Sequence, residues 1–378
     1  MALDKLCITK IEINTKNGRI NRRSITCHEQ IDKTYCCCNC NDDQNEIYAT
    51  RLSIEACEGY NIFIKEFPDS NITIGIKLTL FIKSHLKENN IISSISYLQV
   101  EIQYIQNDIQ FTENCFINPL DNTPRCIYNI LYQIRLSSKI QKTSLNLHYL
   151  DGNIVISNKA AAILVHEFAH LFEADIYLYS RKYINSISND IELKDLYHHV
   201  ALPNICCDID DEFSLNRDVT IIENGIVKNI IVDKKWSQIF HTDLYGNGRH
   251  SFMDNSSIIF PRVRISYIKH NVTKPSNSIT CEIDDFLKID NIGKGKLIAK
   301  DGRVILEVQS AKYHHGGEIT HITPFTIQGS IIDIINSIIC TSDNKYYSAI
   351  PCGKNGQQLP CGVITPSDLL IKGGIYAL

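Results

Sequence analysis

Apolar and polar positions alternate on both sides of Asn17-Gly18 in "TKIEINTKNGRINRRSIT". Alternation around an Asn-Gly pair predicts a β-hairpin, and residues 1–60 are accordingly expected to be mostly β. In "IGIKLTLFIKSHLKENN" (74–90), apolar residues at helical spacing and a polar end predict a helix. "SYLQVEIQYIQNDIQF" and "IYNILYQIRLS" alternate like strands, and "SLNLHYLDGNIVIS" reads as a strand, an Asp151-Gly152 turn and a second strand. The pattern then changes. "NKAAAILVHEFAHLFEADIYLYS" (158–180) has no Gly or Pro and opens with good helix formers, so it predicts one helix with Ser157 or Asn158 as N-cap. The chain turns β-rich again beyond it. Hairpins are expected around Asn224-Gly225 and Asp301-Gly302, and "FTIQGSIIDIINSII" reads as a strand pair turning at Gly329.

A chain of 378 residues is too long for one ordinary core, which points to two domains with a boundary near residue 145. A net charge of −4 implies no general attraction to nucleic acid or to a membrane surface. The first residues lack a basic flank followed by an apolar run, so no signal peptide is expected. No stretch approaches the roughly 18 apolar residues of a membrane span. The 15 cysteines are odd in number, and Cys36, Cys37 and Cys38 are consecutive, which argues against a disulfide framework. Free or metal-binding thiols in a reducing cytoplasm are the expectation. The pair Cys37 and Cys40 has no matching second pair at zinc-finger spacing.

Chemistry concentrates in "HEFAH". On an α-helix His166 and His170 project from one face, as two ligands of a tetrahedral zinc would. Glu167 sits beside them, placed to take a proton from a water whose pKa zinc lowers to about 7. A chance pattern or a hydrogen-bonded histidine pair is the bland alternative. Against it, the flanking Ala160–Val165 and Leu171-Phe172 predict burial, and buried polar groups need partners. The local sequence leaves the third ligand open among Glu173, His198-His199, Cys206-Cys207, His241, His250, His314-His315 and Cys352. Arg249 and His250 are candidates to contact a substrate carbonyl, with a structural corner as the alternative. "DIDDE" (208–212) reads as a solvated acidic loop or N-cap.

Four segments, in order, resemble the TldD/PmbA proteins, the "modulator of DNA gyrase" metallopeptidases. They are "HEFAHLFEAD", the acidic segment with its "ENG" hairpin, "YGNGRHSFMDNSSIIFPRVR", and "CGKNGQQLPCGVITPSDLLIKGG". The resemblance covers about residues 150–378 and is faint before that. It implies an α+β protein: a shortened N-terminal α/β domain (1–145) and then a β-rich C-terminal domain (146–378) carrying one buried metal-binding helix. It further implies Zn2+ held by His166, His170 and Cys352, with Glu167 as general base. The implied substrate is an unfolded or small peptide bound in extended form. The implied assembly is a homodimer or a heterodimer with a related chain, in the cytoplasm, with no nucleic acid and no membrane. One departure stands out. The family usually spells H-E-x-x-x-H, and this chain is one residue shorter. The deletion would rotate the residues beyond Phe168 by about 100° on a regular helix. A catalytically weak or inactive scaffold or regulatory subunit is therefore the alternative.

Overall fold

The computed structural model describes residues 2–16, 19–31, 42–68, 72–87, 90–106, 109–117, 122–139, 143–146, 150–184, 186–202, 205–250 and 258–378. The architecture is α+β, with many strands and few helices. The chain divides into two compact units, one built on Met1–Ile140 together with Ala349–Pro360, the other on Gln141–His250, Ser256–Ser348 and Cys361–Leu378.

In the first unit, Arg19–Ile31, Ala2–Lys16, Ile72–Lys87, Asn90–Gln106 and Ile109–Ile117 form, in that spatial order, an antiparallel sheet. The first hairpin forms with Lys16 opposite Arg19, and its turn residues lie outside the described ones. The helix expected over 74–90 is instead the strand Ile72–Lys87. Ile72, Ile74, Ile76, Leu78 and Leu80 recur every second residue and all enter one core. That period belongs to a pleated strand, and a strand paired on both edges favours it.

Two helices contribute to the same core, Asp42–Glu66 and Thr123–Lys139. Both overturn strand expectations. Leu52, Ala56, Tyr60 and Phe63 recur at helical spacing, as do Ile127, Leu131 and Ile134. In "IYNILYQIRLS" the intervening tyrosines and Gln133 mimic alternation, while the residues that reach the core keep to the 3.6-residue period. The helices approach closely where Gly59 meets Pro124, since a Cβ on Gly59 would stand 2.5 Å from the Pro124 carbonyl oxygen.

The second unit contains most of a six-stranded sheet and a nine-stranded sheet. The six run in the order Lys345–Lys354, Gln357–Pro366, Ile265–His270, Ile191–Leu196, Val219–Glu223 and Ile226–Val227. The larger sheet is centred on Asn153–Ser157, Phe286–Ile298 and Arg303–His315. The hairpin at Asn224-Gly225 forms with both turn residues at positive φ, 51° and 71°, the conformation of a type I′ turn. The hairpin at Asp301-Gly302 forms as well. The first half of "SLNLHYLDGNIVIS" is not a strand over its described residues; only Asn153–Ser157 is. The strand pair expected at Gly329 is a strand, Phe325–Ser330, and then the helix Ile331–Asn336. Ser330 caps that helix by accepting from the Asp333 N–H, a local hydrogen bond that outweighs the β-preference of its isoleucines.

The helix expected over 158–180 is interrupted. Lys159–Ala169 is α-helical, His170–Phe172 forms a 3-10 turn, Glu173 is extended, and Ala174–Ser180 is a second helix. The break is held by a bridge to Ile231, whose N–H donates to the Phe172 carbonyl while Ala174 N–H donates to the Ile231 carbonyl. The first helix contacts Phe286–Ile298 of one sheet and Ile265–His270 of the other. Every residue from Ala160 to Ala169 is buried, so the helix is enclosed on all its faces. No helix among the described residues is long and apolar enough to cross a membrane.

The contact at Gly59 gives a test. Ala gains at most about 1 kcal/mol of helix propensity over Gly. Pressing a Cβ onto a backbone oxygen that cannot rotate away costs more, typically about 1–3 kcal/mol. Gly59→Ala is expected to lower stability to chemical denaturation, while Ala at the exposed neighbour Glu58 leaves it within about 0.5 kcal/mol. A stabilised Gly59→Ala protein would contradict this packing.

Candidate metal centre

The histidine helix comes directly after the strand Asn153–Ser157. Asn158 makes the corner at φ 48°, donating its N–H to the Ser367 carbonyl at 2.7 Å and accepting from Ala162 N–H at 2.9 Å. It is the N-cap by position, without a side-chain cap bond. Two turns later His166 and His170 stack edge to face, with ring centroids 4.5 Å apart. Their exposures are 2% and 5%.

The two rings have different surroundings. His170 Nδ1 lies 2.8 Å from Glu173 Oε2. An ionised carboxylate can only accept, so with Glu173 ionised this contact would place the proton on Nδ1 and leave the lone pair on Nε2. Glu173 is wholly buried, and its other oxygen accepts the Val263 N–H at 2.8 Å. His166 is unlike it: both ring nitrogens are buried and have no hydrogen-bond partner among the described residues. Leaving such a group unsatisfied costs about 1–3 kcal/mol.

Glu167 is buried against the bulged strand Phe286–Ile298. A Cβ on Gly295 of that strand would stand 2.8 Å from Glu167 Cγ and 2.9 Å from its Oε1. Glycine lets the strand come this near the carboxylate. Cys352, on the strand Lys345–Lys354, is 2% exposed. The donor atoms of His166, His170 and Cys352 all lie within 4.8 Å of one another. Two imidazoles and a thiol form a borderline-soft donor set that suits zinc, and a metal would satisfy one of the two unpartnered ring nitrogens of His166. The other remote candidates, and Glu173, do not join this group.

The Gly-rich loop is built as a knot. Asp195 and Arg264 are both fully buried and paired at 2.8 Å. Asp195 also accepts from the N–H groups of Arg264 and Ile265 and from the Asn247 amide. Arg264 donates further to the carbonyls of Arg217 and Tyr245. Arg249 is 7% exposed and directs its guanidinium at the carbonyls of Ile205 and Val263. His250 faces Asp211, with Nδ1 3.0 Å from Oδ2. Asp210, expected in a solvated acidic loop, is instead buried and accepts the N–H groups of Glu212, Ser214 and Gly248. Burial pushes its carboxyl up from the ordinary value, and those bonds pull it back. The Cys36–Cys40 cluster lies outside the described residues.

The pattern reading found the histidines and Glu167, and the resemblance supplied Cys352. The parts of this geometry it missed are Gly295, the Asp195–Arg264 pair, and the binding of Glu173 to His170. The spacing of three between His170 and Glu173 is the one local signal that carried the last.

The fold and this constellation define an α+β protein with a buried His-Glu helix and a nearby thiol. The model described as the PmbA/TldA metallopeptidase C-terminal domain matches residues 151–373, and the chain belongs to the TldD/PmbA family. A metalloprotease TldD homolog of Buchnera aphidicola is 26% identical over 226 residues, 57% of this chain and 46% of the relative. A zinc metalloprotease TldD homolog of Saccharolobus solfataricus is 27% identical over 210 residues, 54% of this chain and 46% of the relative. The match thus spans about half the length of these curated relatives. The structure of TldE from Thermococcus kodakarensis superposes with a TM-score of 0.66 at 15% identity, covering 99% of this chain and 96% of that one. That likeness shows a shared fold.

Asp195 tests the knot. In Asp195→Asn the amide can no longer accept at both positions, and Arg264 keeps an unneutralised buried charge. Breaking a buried pair on one side costs about 3–5 kcal/mol, against about 0–1 kcal/mol for an exposed pair. Denaturation midpoints are expected to fall sharply for Asp195→Asn and barely for Glu282→Gln, which removes the exposed Lys274–Glu282 pair.

Proposed function

We propose that this chain is a zinc-dependent metallopeptidase acting on unfolded or small peptides. The observation that carries the reading is His166. Its two buried ring nitrogens lack partners among the described residues, beside a His170 whose Nδ1 faces the Glu173 carboxyl. His166, His170 and Cys352 would hold the zinc, which supplies Lewis-acid chemistry that acidifies water and polarises a peptide carbonyl. Glu167 would take the proton from that water and return it to the leaving amine. Its carboxylate is confined between the helix and the backbone at Gly295, which limits its rotamers. Curated relatives are called metalloproteases, and one is called a zinc metalloprotease.

The peptide would bind extended, since backbone recognition by an added strand reads length more than side chains. The assembly in this reading is a homodimer, or a heterodimer with a related chain. A cytoplasmic site of action agrees with described cysteines that are not joined in disulfides. Arg249 and His250 as substrate contacts draw less support, because Arg249 is occupied by backbone carbonyls and His250 by Asp211. One observation favours a second reading, a catalytically weak scaffold or regulatory subunit. The motif is one residue shorter than the family's usual spelling.

Metal analysis of the purified protein and cleavage of an unstructured peptide separate the readings. Stoichiometric zinc is expected in the wild type and in Glu167→Gln, and loss of it in His166→Ala and Cys352→Ser. Glu167→Gln is expected to lose about 10²–10⁴-fold in cleavage rate. Zinc bound with equal inactivity of wild type and Glu167→Gln would sink the peptidase reading and leave the scaffold. Unchanged zinc affinity in Cys352→Ser would remove the thiol from the ligand set.

A further inference from the structure

We infer that Glu173 is a positioning residue that fixes the tautomer of His170, and that the Gly-rich loop serves this site by fixing the Val263 amide that holds Glu173. The inference deepens the metal reading but stands on geometry that exists without a metal.

The interruption of the helix is the first support. A continuous α-helix would set residue 173 off the axis through His170. A 3-10 turn has three residues per turn, so positions i and i+3 eclipse. His170–Phe172 is such a turn, and Glu173 comes next in extended conformation, pinned by the bridge to Ile231. The backbone break thus aims a carboxylate back at Nδ1 of His170, at 2.8 Å.

The second support is the burial of Glu173, which is 0% exposed. A carboxylate there needs strong donors. The Val263 N–H supplies one and the His170 ring another. Val263 is in turn held from both sides. Arg262 N–H donates to the Asn247 carbonyl, and the Asn247 amide donates to the Arg262 carbonyl. Arg264 N–H donates to Asp195 Oδ1. The Val263 carbonyl accepts from Arg249 and from Cys361 Sγ. "GNGR" and "PRVR" therefore converge on an amide that holds Glu173. Such outer partners set ring orientation and ligand basicity, and their loss typically lowers metal affinity 10–100-fold.

The chosen variant is Glu173→Gln, which keeps the volume. Its Oε1 can still accept from Val263, but its amide then donates toward His170. Nδ1 must become the acceptor, and the proton moves to Nε2, where the metal lone pair should be. Long-range 1H–15N correlation spectra of metal-free protein read the tautomer directly, with the His170 signal assigned by its loss in His170→Gln. The wild type is expected to show Nδ1–H with Nε2 unprotonated, and Glu173→Gln a shift toward Nε2–H. Competition with a chromophoric chelator is expected to show zinc affinity lowered about 10–100-fold in the variant. A wild-type His170 that is Nε2–H or doubly protonated overturns the inference, whether or not the variant folds. So does a Glu173→Gln protein with wild-type zinc affinity. Should the wild type bind no zinc, the metal reading fails, and the tautomer spectra alone still decide the role of Glu173.

Discussion

A helix enclosed on all sides leaves its polar groups no water to fall back on. Between Ala160 and Ala169 every residue is buried, and His166 and Glu167 sit in that run with His170 just beyond it. Each buried polar atom must then find a partner inside the protein, or the fold carries a penalty of about 1–3 kcal/mol for it. Apolar residues at 166, 167, 170 and 173 would hold the two sheets together as well or better. In the proposed reading the polar set is explained by the metal it would hold, and its burial would keep competing water away.

The same requirement shapes the segment around Val263. Asp195 and Arg264 are charged and entirely enclosed, and the pair is accepted because nearly every donor and acceptor it presents is used on a backbone group or on Asn247. A buried pair of this kind adds little net stability compared with an apolar replacement. Its value is geometric: it ties Tyr245 and Asn247 to Arg264 and Ile265. Gly246, at φ 79°, would meet Asn216 if it bore a side chain, so the turn is equally determined on that side.

The sequence was legible where one short-range signal governed the outcome. Hairpins formed at Asn224-Gly225 and Asp301-Gly302, and the alternating stretch 96–111 is a strand pair. The failures share a cause. In 72–87 and 127–137 the helical and strand periods both fit the apolar residues, and only the core residues decide between them. At Gly329 a cap bond from Ser330 made a helix of an isoleucine-rich stretch. The break at His170–Glu173 rests on Ile231, far along the chain, and no local pattern carries that information. In the site the histidines were legible because their spacing is local. Gly295 and Val263 were not, since they act through backbone atoms brought in from other strands.

That break also bears on the one-residue-shorter motif. With H-E-x-x-H both histidines fall within reach of the α-helical ladder, and His170 N–H still donates to the His166 carbonyl. Paired ring positions then need no bulge between them. The deletion displaces the segment after the second histidine, which a regular helix would rotate by about 100° per residue removed. Here the chain leaves the α-helix at that point. The 3-10 turn and the bridge to Ile231, not helix phase, set where Glu173 lies. A shortened helix can therefore keep the carboxylate behind His170, because its position is fixed from the sheet side. Glu167, lying before the shortening, keeps its relation to His166 however the later residues are phased. The departure from the usual spelling falls just before a stretch where tertiary contacts override helical phase.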